Sequence, residues 1–202
     1  MRNIKIFTYL KIILFLLLVF VAVYYPTNEF DVITSNLLQI KILGQTAKII
    51  STIFNDKILL LIMVLLSAFL FWIKEAKKAI FIFFSAGFGG LILFIIKYTV
   101  QRARPLPEVF SGYSFPSGHS TIIVVFFVSL LFIINKKEFL SILAIFAIIA
   151  VPVSRVVLGA HFISDVVAGL LLGSIVVDFM KVYYKKIYNI IKSITGENKW
   201  IS

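Results

Sequence analysis

The chain has 202 residues, 61% hydrophobic and 14% charged, with 20 Lys and Arg against 9 Asp and Glu for a formal net charge of +11. Apolar runs this long exclude an ordinary soluble domain and call for an integral membrane protein. The basic residues sit in short loops between those runs, which excludes a nucleic-acid face, and the lack of cysteine excludes disulfides, a thiol nucleophile and thiolate metal sites.

In chain order, Arg2 and Lys5 precede an apolar stretch from Ile12 to Tyr25. This resembles a signal peptide in charge and order, but no small-x-small cleavage site precedes Pro26. The stretch therefore reads as a retained first span over about 4–25, with Lys11 snorkelling toward the cytoplasmic headgroups and Tyr24 and Tyr25 at the opposite interface. Residues 26–57 mix polar and apolar side chains. From Asn36 to Ile50, the residues Leu37, Ile40, Leu43, Ala47 and Ile50 fall on roughly one helical face, which predicts a short extramembrane amphipathic helix lying on the membrane or packed over the bundle.

The second and third spans are predicted over about 58–73 and 79–96, separated by the polar turn from Lys74 to Lys78. Ser85, Ala86, Gly87, Gly89 and Gly90, and later Gly169 and Gly173, permit close helix approach; such contacts serve internal neighbours first and do not establish an oligomer. Pro105, Pro107, Gly112 and Pro116 rule out a continuous helix between Lys97 and Ser117. The remaining spans are predicted over about 119–134, 139–154 and 162–180, with Pro152 a candidate kink in the fifth. A basic tail with Lys181, Lys185, Lys186 and Lys192 suits an anionic inner leaflet. The expected fold is all-α: one domain over 1–202, an integral membrane bundle of six transmembrane helices with an amphipathic helical segment after the first span.

With a cytoplasmic N-terminus, the inner segments 1–11, 74–78, 135–138 and 181 onward hold Arg2, Lys5, Lys11, Lys74, Lys77, Lys78, Lys136, Lys137 and the tail lysines, as the positive-inside rule requires. Both termini are then cytoplasmic. The same assignment carries segments 97–119 and 154–165 to the opposite, periplasmic or extracellular, face of a bacterial-type cytoplasmic membrane.

Those two segments collect both histidines of the chain. His161 and Asp165 are four apart, so at a helix start the carboxylate can orient one imidazole nitrogen and leave the other free as a nucleophile toward phosphorus. His119, on another helix end, is the candidate acid for the leaving oxygen and base for water. Lys97, Arg104 and Arg155 suit a transferring phosphoryl group, and Ser117 and Gly118 lie where a hydroxyl and unpaired N–H groups at a helix start can hold its oxygens. Arg102 and Asp178 read as interfacial anchors, while Tyr113 and Phe115 read either as lipid contacts or as interfacial aromatics. The few acidic residues form no cluster at metal-ligand spacing, so the expected chemistry is metal-independent and uses no cofactor.

These residues resemble the three signature motifs of the type 2 phosphatidic acid phosphatase family. They are Lys, six residues, Arg-Pro at 97–105; Pro-Ser-Gly-His at 116–119; and Ser-Arg, five residues, His, three residues, Asp at 154–165, with no departure from the pattern. The six-span layout is similar to that of the family's membrane members. The resemblance implies His161 as nucleophile, Asp165 as its orienting partner, His119 as acid and base, and Lys97, Arg104, Ser117, Gly118 and Arg155 as phosphate ligands. It implies a phosphatase of a membrane lipid phosphate or diphosphate, such as undecaprenyl diphosphate, phosphatidylglycerol phosphate, phosphatidic acid or lipid A 1-phosphate, with the first two favoured. The rival readings are a lipid phosphotransferase using the same histidine, and a non-catalytic lipid transporter or scaffold. A transporter is expected to show midplane ionisable residues or inverted repeats, and neither is legible.

Overall fold

The computed structural model describes residues 6–39, 41–134 and 138–195. Arg2, Lys5, Ile40, Lys136 and Lys137, which the expected topology and amphipathic face invoke, lie outside the described residues. Regular structure among the described residues is helical throughout: α1 (Ile6–Tyr24), α2 (Glu29–Leu38), a short 3-10 turn (Lys41–Leu43), α3 (Gly44–Ile53), α4 (Asp56–Trp72), α5 (Ala76–Val100), α6 (Gly118–Ile133), α7 (Glu138–Val157) and α8 (Ile163–Thr195).

Among the described residues, five stretches are long and apolar enough to cross a membrane: Ile6–Tyr24, Gly44–Trp72, Ala76–Val100, Glu138–Val157 and Ile163–Ile194. Gly118–Ile133 is apolar but shorter. Large aliphatic side chains such as Leu17, Leu65, Ile145 and Ile149 are exposed on the outside of the bundle, while Ser85, Arg102, Thr121 and Asp165 are buried inside it. That inversion is what a lipid solvent requires.

α6 is apolar on every side, the pattern of a helix with neighbours all round. It packs against α4, α5, α7 and α8. Its approach to α8 depends on two glycines: a Cβ at Gly169 would lie 2.6 Å from Ser117 O, and one at Gly173 would lie 2.5 Å from Thr121 O. On the other side, a Cβ at Gly89 would meet Val125 at 3.2 Å. These small residues serve packing within the chain.

Several expected boundaries move. The predicted helix from Asn36 to Ile50 is instead divided between α2 and α3, with Leu37 exposed at 71% and Ala47 buried at 4%, so no single apolar face forms. Polar anchors set the two pieces separately: Asp31 of α2 reaches Arg102 and Ser51 of α3 reaches Arg155. Asn55 then starts α4 as its N-cap, accepting from Lys57 N at 3.0 Å and Ile58 N at 3.3 Å. The basic tail is a continuation of α8, whose 33 residues extend about 50 Å against a hydrocarbon core of about 30 Å. Lys11 does not simply snorkel, and Asp178 is not a lone anchor. Lys11 Nζ lies 2.7 Å from Asp178 Oδ2 and 2.6 Å from Ser174 Oγ, and Thr8 Oγ1 donates to the same carboxylate at 3.0 Å. In apolar surroundings two opposite charges facing each other cost less than either alone.

Candidate active site

The end of α5, the starts of α4, α6 and α8, and the ends of α3 and α7 converge at one end of the bundle. α5 terminates at Gln101, which takes the left-handed conformation (φ 52°) and returns its N–H to Lys97 O at 3.1 Å. Lys97 Nζ donates to Tyr113 O at 2.8 Å and Pro116 O at 3.0 Å, drawing the following loop back over the helix end and leaving one ammonium proton for a ligand. Phe115 turns inward, fully buried, and stacks on Phe15 with ring centroids 6.3 Å apart. It is a core residue, neither a lipid contact nor an interfacial aromatic.

Arg104 is fixed by the carbonyls of Ser111 (3.0 Å), Gly112 (3.1 Å) and Ala160 (2.8 Å). Its Nη1 is 3.3 Å from His161 Nε2. A guanidinium can only donate, so Nε2 is the acceptor and the ring proton belongs on Nδ1. Nδ1 in turn lies 3.6 Å from Asp165 Oδ2, too long for a hydrogen bond, and is buried without a closer partner among the described residues. Burial above all pushes the His161 imidazole down to about 3; Asp165 opposes this, and Arg104 and Arg155 add to it. The ring is therefore neutral at pH 7, with its Nε2 lone pair directed at the cationic loop.

Asp165 is itself held by a network that motif spacing did not disclose. Arg102, expected as an interfacial anchor, is 2% exposed and is the largest fully buried side chain among the described residues. Its Nη1 donates to Asp165 Oδ1 and Ser164 Oγ, each at 2.7 Å, its Nη2 to Asp31 Oδ2 at 2.7 Å, and its Nε to Pro26 O at 2.9 Å. The other Asp165 oxygen accepts from Phe162 N at 2.9 Å. Asp31 also accepts from Ser164 N and Oγ and from Asn28 Nδ2. Burial would raise the Asp31 carboxyl, but the bonds from Arg102 and Ser164 outweigh it and hold the group below its ordinary value. Two carboxylates around one guanidinium give a buried cluster whose hydrogen bonds are made.

His119 is the second residue of α6. Ser117 caps that helix: its fully buried hydroxyl accepts from Ser120 Oγ at 3.1 Å and, more weakly, from Ser120 N at 3.4 Å. Ser117 N donates to Asp165 O at 3.0 Å, tying α6 to α8. The Ser117 hydroxyl expected on phosphate is thus engaged within the protein. Arg155 lies in the last turn of α7, with Nη1 on Ser51 Oγ at 2.6 Å and a buried Nε that has no hydrogen-bond partner among the described residues. Gly159 (φ +69°) completes the connection to His161; a Cβ there would overlap Leu106.

The arrangement therefore unites Lys97, Arg104, Arg155, His119, His161 and Asp165, drawn from all three motifs. A family model described as the PAP2 superfamily matches residues 78–188, a stretch that contains every one of them. The chain belongs to the PAP2 superfamily. This PAP2 chain is 32% identical over 140 residues to phosphatidylglycerophosphatase B of Bacillus subtilis, covering 64% of the chain and 69% of that protein. It is 37% identical over 109 residues to lipid A 1-phosphatase of Rhizobium johnstonii, covering 46% of the chain and 43% of the relative. It is 36% identical over 89 residues to undecaprenyl-diphosphatase of Sulfolobus acidocaldarius, covering 40% and 42%. The chain thus spans less than half the length of the last two. The crystal structure of a transmembrane PAP2-type phosphatidylglycerolphosphate phosphatase from Bacillus subtilis superposes with a TM-score of 0.75 at 27% identity, covering 89% of this chain and 96% of that one. The PAP2 chain is an enzyme, a hydrolase of phosphoric esters or anhydrides.

Sequence reasoning missed Asp31, Ser51, Arg102 and Ser164. Arg102 stands two residues before Arg104 and Ser164 one before Asp165, so proximity to a motif was a signal for both. Asp31 is 71 residues from Arg102 in the chain, and nothing local marks it.

Proposed function

We propose that the chain hydrolyses a membrane lipid phosphate, phosphatidylglycerol phosphate foremost, through a phosphohistidine on His161. The observation that carries this reading is the Nε2 of a neutral, buried His161 standing 3.3 Å from Arg104 while its Nδ1 faces Asp165. Arg104, Arg155 through its unpartnered Nε, and the remaining proton of Lys97 would hold the equatorial oxygens. The Nε2 lone pair attacks phosphorus as the bond to the leaving oxygen breaks, and His119 gives that oxygen a proton. Water then attacks phosphorus, His119 takes back a proton, the P–N bond breaks, and inorganic phosphate leaves. The Asp165 carboxylate balances the charge on the imidazole during the phosphohistidine stage.

Phosphatidylglycerol phosphate is preferred because the relatives covered over most of their length carry that substrate in their names. The site would face the periplasm or exterior. Lys77 and Lys78 lie in the first turn of α5 and Lys97 in its last, and its 25 residues extend about 37 Å, so the two ends reach opposite surfaces. In this reading α6 is a sixth span. Its 16 residues reach only about 24 Å, which would set His119 below the outer surface, near the lipid headgroups.

The test is phosphate release by purified protein from a panel of lipid phosphates, in detergent with a chelator. Wild type is expected to be active and to prefer phosphatidylglycerol phosphate, His161→Ala to lose at least about a thousandfold in kcat, and only wild type to trap radiolabelled phosphate on the protein. Undiminished turnover by His161→Ala would rule out the phosphohistidine.

A further inference from the structure

The turn between α3 and α4 brings to the site a carboxylate that belongs to none of the three motifs. Asp56, the first residue of α4, places Oδ2 3.6 Å from His119 Nδ1. This is the same ring atom and the same separation that Asp165 presents to His161. The carboxylate also packs against residue 118: a Cβ at Gly118 would lie 2.6 Å from Asp56 Oδ2, so glycine leaves the aspartate room in its present place. The rest of the Asp56 carboxylate accepts from Lys57 N at 3.1 Å. The charged groups otherwise facing His119 are the guanidiniums of Arg155 and Arg104, from α7 and the α5–α6 loop, and the Ser51 main chain of α3 lies near the ring. A histidine that must donate a proton among two guanidiniums needs an anion beside it, and Asp56 is that anion.

We infer that Asp56 is the positioning residue of His119: it accepts the Nδ1 proton, aims Nε2 at the leaving oxygen and balances the imidazolium before the proton is delivered. The inference rests on the acid role of His119 proposed above. The proton that moves is the one on His119 Nε2, which passes to the leaving oxygen as the P–O bond breaks. The pair closes to hydrogen-bond length once the ring is charged, as catalytic contacts in unliganded sites do.

The full chain in detergent is compared as wild type, Asp56→Asn, Asp56→Ser, His119→Ala and the His119→Ala/Asp56→Asn double variant. Phosphorylation of His161 is followed with dodecyl phosphate, whose alkoxide needs a proton, and with 4-nitrophenyl phosphate, whose leaving group does not. Both Asp56 variants are expected to slow the dodecyl reaction by about 10- to 100-fold, with a loss at least about tenfold greater than on the nitrophenyl ester. The double variant is expected to be no slower than His119→Ala alone, since Asp56 acts through the ring. Serine keeps a residue suited to a helix start if asparagine disturbs α4. Equal losses on the two esters, no loss on either, or additive losses in the double variant would overturn the inference. If His119→Ala turns over dodecyl phosphate like wild type, it is the acid role of His119 that fails.

Discussion

His161 and His119 each place Nδ1 3.6 Å from an aspartate Oδ2, yet their surroundings differ. The His161 pair is closed off, with side chains 3% and 0% exposed, and its aspartate is bound to Arg102 and the Phe162 N–H. The His119 pair is 12% and 24% exposed, and among the described residues its aspartate has only the neighbouring Lys57 N–H for support. The difference matches the two tasks proposed for them. A nucleophile forms one bond at one angle and gains from rigid placement, whereas a group that serves first a leaving oxygen and then a water must reach two positions and meet solvent. The closed half also needs a counter-charge that water cannot supply, which is why Asp31 and Arg102 lie behind Asp165.

The most forceful way to break the closed half is Arg102→Met. It leaves Asp31 and Asp165 facing each other without their shared cation, and a loss of about 3–5 kcal/mol is expected in thermal or denaturant unfolding in detergent. Arg102→Lys should recover little of this, because one ammonium cannot reach Asp31, Asp165, Ser164 and Pro26 O as the guanidinium does. If Arg102→Met melts like wild type, the contrast between a rigid and an open half loses its basis.

A smaller effect tests the spacing between the halves. Gly169→Ala drives a Cβ into Ser117 O and Ser120 Cβ, at 2.6 and 2.8 Å, where α6 meets α8. We expect about 1–3 kcal/mol of destabilisation and a lower kcat, since the helix carrying His119 is pushed away from the one that follows His161. Gly87→Ala, with nothing within 4 Å, should be silent in both assays. Unchanged kcat in folded Gly169→Ala would show that the separation of the two helices is not critical.

The mildest test uses pH. The unfolded chain protonates His161 near its ordinary value of 6.5, whereas the native chain does so only near 3. Between these values the unfolded state binds more protons, so this residue costs the fold stability as pH falls through that window and nothing above it. Melting temperatures measured from pH 7 to pH 4 should fall more steeply for wild type than for His161→Asn. Parallel curves would mean that the ring is not buried as a neutral group.

Much of the fold and the site is legible from residue order. The spacing of Lys97, Arg104, His119, Arg155, His161 and Asp165 is set by helix ends, and helix ends are marked by Pro, Gly and the limits of apolar runs. Residues 26–57 resisted because their pattern has no strong period. What orients α2 and α3 is a few polar contacts to distant motif residues, Asp31 with Arg102 and Ser51 with Arg155, which leave no trace in hydropathy. Arg102 was misread for a related reason: an arginine at a span end is indistinguishable from an interfacial anchor until its partners are known.

By itself, the sequence determined that the chain is helical, that its exterior is apolar, and, through its three motifs, that it resembles the PAP2 family. Those properties follow from local composition and spacing, which need no partner. Tertiary structure alone decided that a buried Arg102 and Asp31 lie behind Asp165, that Ser117 N bonds Asp165 O, and that the α3–α4 turn sets Asp56 beside Gly118 and His119. Each is a meeting of residues far apart in the chain, and a contact of that kind exists only once the helices have packed.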